Sequence, residues 1–114
     1  MVHYGGSAEA AGETAREVET LGRRALLHQA DLSSWPAAEA LGQAALNHFG
    51  RVDILVNSAS TFVGSGLLDS SEADFDAAFS VNIKGPYALS AVIGRAMLGY
   101  DSVSNIINIV DEGA

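Results

Sequence analysis

The 114-residue chain contains no cysteine, which excludes disulfides and thiolate metal sites. Basic residues are scarce as well. Six Lys and Arg against 14 Asp and Glu leave a formal charge of −8. A field of that sign repels phosphate backbones and anionic lipid, and no local Lys/Arg cluster opposes it, so neither nucleic acid nor membrane is an expected partner. No segment approaches the roughly 18 uninterrupted apolar residues of a membrane span. The opening residues 1–6 carry neither the basic flank nor the apolar run of a secretory signal, and a soluble, cytoplasmic protein is expected. Apolar residues, by contrast, are plentiful: 48% hydrophobic against 18% charged is the composition of a packed globule, and the length suits one domain, 1–114.

Along the chain, Ala11, Ala15, Val18 and Leu21 recur at helical spacing, with Ser7 where an N-cap oxygen would sit and Gly22 as a stop; the pattern predicts a helix over 8–21. The short run 25–30 reads as a strand leading into Asp31-Leu32-Ser33-Ser34. Pro36 in a first turn, followed by Ala38, Leu41, Ala45 and Phe49, predicts a second helix that ends at Gly50. Residues 52–57 form a continuous apolar strand of the kind buried on both faces of a parallel sheet. Leu21-Gly22-Arg23 and Phe49-Gly50-Arg51 thus mark two copies of a helix, glycine stop, strand unit. A Ser/Gly-rich loop over 58–69 follows, and Ser70-Ser71 with Glu72 and Asp74 resembles a helix-opening box. Two helical stretches, about 72–82 and 84–98, are separated by a break near Gly85-Pro86. A last strand covers 104–110, with Asp111 just beyond it. Strands alternating with helices imply an α/β fold, a partial doubly wound parallel sheet of about four strands with helices on both faces.

In such a sheet the ligand crevice lies outside the carboxyl ends of the strands. Those ends carry Tyr4-Gly5-Gly6-Ser7, Asp31-Leu32, Asn57-Ser58-Ala59-Ser60 and Asp111, with Asn82 at the helix break. Asn and Asp there supply fixed hydrogen-bonding groups able to hold a ribose, an amide or a ring edge. His3, His28 and His48 have no metal-ligand spacing, and no metal is expected.

At these residues the chain resembles the short-chain dehydrogenase/reductase family. Asp53-Ile54-Leu55-Val56-Asn57-Ser58-Ala59-Ser60 is similar to its fourth-strand motif D-x-L-V-N-N-A-G, Val81-Asn82-Ile83-Lys84-Gly85 to its V-N-x-x-G helix motif, and 104–110 to its fifth strand. Asp31-Leu32 matches the pair that holds the adenine ring. Ala59-Ser60 in place of Ala-Gly, and Asn108-Ile109-Val110-Asp111 in place of N-I-S-S, resemble the pteridine-reductase-like branch, as does His3-Tyr4 followed by Ser7. The resemblance implies NADP or NAD as cofactor and hydride transfer to a C=O or C=N bond of a small, possibly pteridine-like, molecule. Gly6 stands where a basic residue meets a 2′-phosphate, which leaves NAD and NADP open. On this resemblance, His3, Tyr4, Ser7, Asp31, Leu32 and Asn57 to Ser60 contact the cofactor, while Asp111 and Asn82 serve catalysis.

The family's T-G-x-x-x-G-x-G turn and its Y-x-x-x-K pair have no counterpart here. The chain therefore resembles an internal piece of a reductase, from the second strand to the fifth. With family strand order 3-2-1-4-5-6-7, either the second strand closes on the fourth, giving local order 2-1-3-4, or another copy fills the gap. The resemblance also places the apolar helix 86–98 at a dimer face, and a homo-oligomer is expected. Plainer readings stand beside these: Asp111 as a solvated carboxylate, Asn82 as a cap at a helix break, Asn57 to Ser60 as a strand-end turn. At the level of the whole chain, the alternatives are a non-catalytic α/β module that self-associates or binds a partner reductase, and a small hydrolase, for which no G-x-S-x-G elbow is present.

Overall fold

The computed structural model describes residues 1–62, 64 and 66–110; Asp111 lies outside the described residues. It shows the expected α/β alternation in two compact units, residues 1–31 and residues 32–114.

In the first unit, β1 (Val2–Tyr4) and β2 (Leu27–Gln29) pair in parallel, with Val2 opposite Leu27 and Tyr4 opposite Gln29. The crossover is α1 (Ala8–Thr20), which buries Ala11 and Ala15. Two details depart from the sequence reading. Ser7 holds the N-cap position without a side-chain cap hydrogen bond, and Leu21 is 78% exposed instead of extending the buried stripe. The helix has already ended there: Leu21 is its C-cap, and Gly22, at φ 73°, turns the chain toward β2.

The second unit begins with α2 (Trp35–Phe49). Ser34 caps it by accepting from Ala37 N at 3.4 Å, Pro36 occupies the first turn, and Gly50 closes it in the left-handed conformation at φ 80°. Next come β3 (Ile54–Asn57), α3 (Glu72–Phe79), a π-helical turn at residues 80–84, α4 (Gly85–Met97) and β4 (Asn105–Asn108). The core is the α2–α4 contact, with Ala38, Leu41 and Ala45 set against Ala88, Leu89 and Ile93. The helices approach closely because small residues sit at the crossing: a Cβ on Gly42 would stand 3.0 Å from Val92 Cγ1 and 3.1 Å from Leu89 Cδ1. A Cβ on Gly85 would collide with the carbonyl oxygen of Leu32.

The break anticipated near Gly85-Pro86 is absent, and backbone angles stay right-handed helical from Phe79 through Gly85. A proline at 86 would press its ring on the carbonyl of Asn82 in a regular α-helix; the wider π-turn relieves that clash and the helix passes on unbroken.

β3 and β4 pair in parallel, Ile54 to Asn105 through Asn57 to Asn108. Among the described residues each of the four strands has one ladder partner, giving two parallel pairs, β1–β2 in the first unit and β3–β4 in the second, and the expected local order 2-1-3-4 is not seen as a ladder. Burial of β3 on both faces also fails. Side chains alternate across a strand, and α4 covers only the face that carries Leu55 and Asn57, leaving Ile54 and Val56 exposed by 59% and 52%. Strands β2 and β4 are shorter than the apolar runs 25–30 and 104–110, because pairing stops where the partner strand stops.

Candidate functional site

In the first unit, the carboxyl ends of β1 and β2 are tied by polar contacts. His3 donates from Nε2 to the carbonyl of Ala30 at 2.8 Å, Gln29 Nε2 donates to the carbonyl of Gly5 at 2.8 Å, and Ala30 N donates to Tyr4 O at 3.2 Å. His3 is thus a strand-end tie, and Tyr4 is half-buried beside it in sequence. Ser7 is exposed, and its hydroxyl is not used as a cap; Asp31, at the end of this unit, is exposed as well.

In the second unit, Leu32 is buried against Gly85 and serves packing. Asn57, 8% exposed, ends β3. Its Nδ2 donates to Ser90 Oγ at 3.1 Å and to Asn108 Oδ1 at 2.9 Å, and its carbonyl accepts from Ile109 N at 2.9 Å. Ser58, Ala59 and Ser60 follow, all exposed. Asn82, on the π-turn, then meets the loop: its Oδ1 accepts from Thr61 N at 2.8 Å while its Nδ2 donates to Thr61 O at 2.9 Å. The structure therefore joins Asn82 to the loop carrying Ser58 to Ser60, and both to the end of β3. Asn82 acts as a clamp on a neighbouring backbone, not as a helix cap.

Three participants were not assigned to the site from the sequence: Thr61, Ser90 and Asn108, the last noted there only within the 108–111 motif. Two left a signal. Asn108 ends its strand with the same residue type as Asn57, and Ser90 interrupts the apolar run of α4 beside Leu89. Thr61 contributes only backbone atoms, so its residue type carried no information.

The arrangement presents an uncharged, polar ledge at the carboxyl end of a parallel strand pair, anchored at Asn57 and Thr61. Residues 58–60 are exposed between these two anchored positions. Among the described residues, no group of three or more His, Cys, Asp or Glu side chains could hold a metal ion.

The sequence pattern of the short chain dehydrogenase family matches residues 1–112. The chain is 36% identical over 97 residues to 2-dehydro-3-deoxy-D-gluconate 5-dehydrogenase of Escherichia coli (strain K12), which covers 85% of this chain and 38% of that protein. Among solved structures, a short chain dehydrogenase from Burkholderia cenocepacia J2315 in complex with NADP superposes with a TM-score of 0.83 at 31% identity, over 93% of this chain and 42% of that one. Acetoin dehydrogenase from Enterobacter cloacae gives a TM-score of 0.85 at 32% identity, with the same coverage of 93% and 42%. The chain spans about two fifths of the length of these relatives. The family pattern over residues 1–112, the sequence identity and the superposition together show that the chain belongs to the short-chain dehydrogenase/reductase family, whose cofactor is NAD(P).

Proposed function

We propose that this chain forms the cofactor-cradling part of an NAD(P)-dependent oxidoreductase that moves hydride between the nicotinamide and a carbonyl or hydroxyl carbon of a small molecule. The observation that carries the reading is the double hydrogen bond from Asn82 to Thr61, which holds Ser58 to Ser60 as an exposed ledge at the end of β3. When bound, the cofactor supplies the hydride. The chain's own residues bind and orient it: Ser58 to Ser60 contact a ribose, Asp31 lies at the adenine with only the main chain of Leu32, whose side chain is buried, and His3, Tyr4 and Ser7 lie at the adenosine ribose. The free hydroxyl of Ser7, at the head of an uncapped helix, suits a 2′-phosphate, which favours NADP. Asn82 supports proton transfer by fixing the loop, and Asp111 assists a proton donor.

The relatives named above are dehydrogenases of a sugar acid and of acetoin, which favours carbonyl chemistry. The narrower pteridine-like reading rests on Ala59-Ser60 and Asp111 and gains no support from them. We also propose self-association through the α3–α4 face, where Phe75, Phe79, Ile83 and Tyr87 recur every four residues and are each 46–67% exposed.

Titration with NADPH and NADH tests the cofactor reading. Trp35 at the start of α2, whose ring lies 5.9 Å from that of Tyr87, is the fluorescent reporter. Binding is expected to shift its emission and raise the melting temperature, more strongly for NADPH; no change with either cofactor at millimolar concentration rejects the function for this chain.

A further inference from the structure

Ser90 has no role in the function proposed above, yet the only buried polar side chain among the described residues, Asn57, donates to it. The Asn57 amide has two hydrogens, and both are used, one on Ser90 Oγ at 3.1 Å and one on Asn108 Oδ1 at 2.9 Å. Asn57 and Asn108 are register partners at the last rung of the β3–β4 ladder. One amide therefore joins three elements at the carboxyl end of the strand pair.

We infer that Ser90 is a positioning residue: by accepting one Asn57 hydrogen it locks the side chain that couples the ends of β3 and β4, and so sets the segments 58–61 and 109–110. The first of these segments is then held at both ends by one helical run. Ser90 fixes it at Asn57, and Asn82, eight residues earlier, fixes it at Thr61. Ser90 itself touches no cofactor. Its consequence for binding rests on the function proposed above, whereas its effect on the strand ends does not.

Removing the oxygen leaves a buried N–H without an acceptor, and Asn57 escapes that state by rotating, which breaks its bond to Asn108 as well. Threonine keeps the oxygen. A serine that merely fills space between α4 and β3 has no such consequence, since alanine would leave Asn57 and its partners in place.

Nitrogen-15 NMR of the 114-residue chain separates these outcomes. In the unsubstituted chain the Asn57 side-chain amide protons are expected to be resolved and slow to exchange. Ser90→Ala should abolish that protection and shift the backbone signals of 58–61 and 109–110, and Ser90→Thr should restore both. Rapid exchange of the Asn57 amide in the unsubstituted chain overturns the inference without any variant; so do shifts in Ser90→Ala confined to α4 and the α2 residues facing it. NADPH should bind several-fold more weakly to Ser90→Ala than to Ser90→Thr at equal melting temperature, and equal affinities overturn the effect on binding. A chain that binds no NADPH defeats the proposed function, while the NMR readout still decides the role of Ser90.

Discussion

Asn82 and Thr61, 21 residues apart in sequence, exchange two hydrogen bonds of 2.8 and 2.9 Å, so that one side-chain amide pairs with both the N–H and the C=O of a single residue, as a neighbouring strand would. The π-turn makes this possible by carrying Asn82 through a widened stretch of helix without breaking it. A single residue thus links the helix architecture to the loop that holds the proposed ligand ledge.

Asn82→Ala removes both bonds and is expected to cost about 1–2 kcal/mol in urea unfolding, with faster hydrogen exchange at the Thr61 amide. Asn82→Asp keeps an acceptor for Thr61 N but turns a carboxylate oxygen toward Thr61 O, so it should recover little of the loss. Unchanged exchange at Thr61 in Asn82→Ala contradicts the clamp.

Two helical glycines should respond differently to alanine. Alanine favours helix over glycine by about 1 kcal/mol at either position. At Gly42 the new methyl meets the side chains of Val92 and Leu89 at 3.0–3.1 Å, and these can shift. At Gly85 it meets the backbone of Leu32, which cannot move without displacing the start of the second unit. Gly42→Ala is therefore expected near neutral, and Gly85→Ala destabilising by about 1–3 kcal/mol; thermal unfolding of the pair checks the order.

The acid limb of the stability curve should depend on Asp74. Its carboxylate accepts from Ser71 N at 2.9 Å and from Ser71 Oγ at 2.8 Å, and these bonds hold its pKa below the ordinary 3.8, the backbone bond contributing most. A lowered folded-state pKa stabilises the fold above the unfolded value, and the contribution disappears as the pH falls through the folded value. Asp74→Asn is expected to flatten the stability profile below about pH 4 and to leave its slope at neutral pH unchanged. Melting curves of both chains from pH 2 to 7 measure this.

What could be read in advance was local. The Ser71–Asp74 capping box, the glycine stop at Gly50, the parallel strand-helix alternation and the strand-end polar residues follow from rules that act over a few positions. What could not be read depends on partners distant in sequence. Ile54 and Val56 have the composition of a strand covered on both sides, and composition does not say whether a cover is there. Asn57 was legible as a strand-end amide, but its acceptor on Ser90 lies 33 residues away and was fixed only by the packing of α4. Proline at 86 argued for a break, and the π-turn, which depends on how the whole helix is seated, prevented one.

The exposed face of β3 separates a free chain from a self-associated one. Ile93, 1% exposed, lies in the α2–α4 core, and Ile93→Ala should cost about 2–5 kcal/mol. Val56, 52% exposed, points to the uncovered face, and Val56→Thr in a monomer should stay within about 0.5 kcal/mol of the unsubstituted chain. If copies associate through the α3–α4 face alone, Val56→Thr remains near neutral at every protein concentration, while Phe79→Ser lowers the sedimentation coefficient. If copies instead close over the bare β3–β4 face, Val56→Thr becomes costly as concentration rises and Phe79→Ser has no effect on assembly. Sedimentation velocity and unfolding of both variants across a hundredfold concentration range therefore test the proposed interface directly, and the second pattern rejects it.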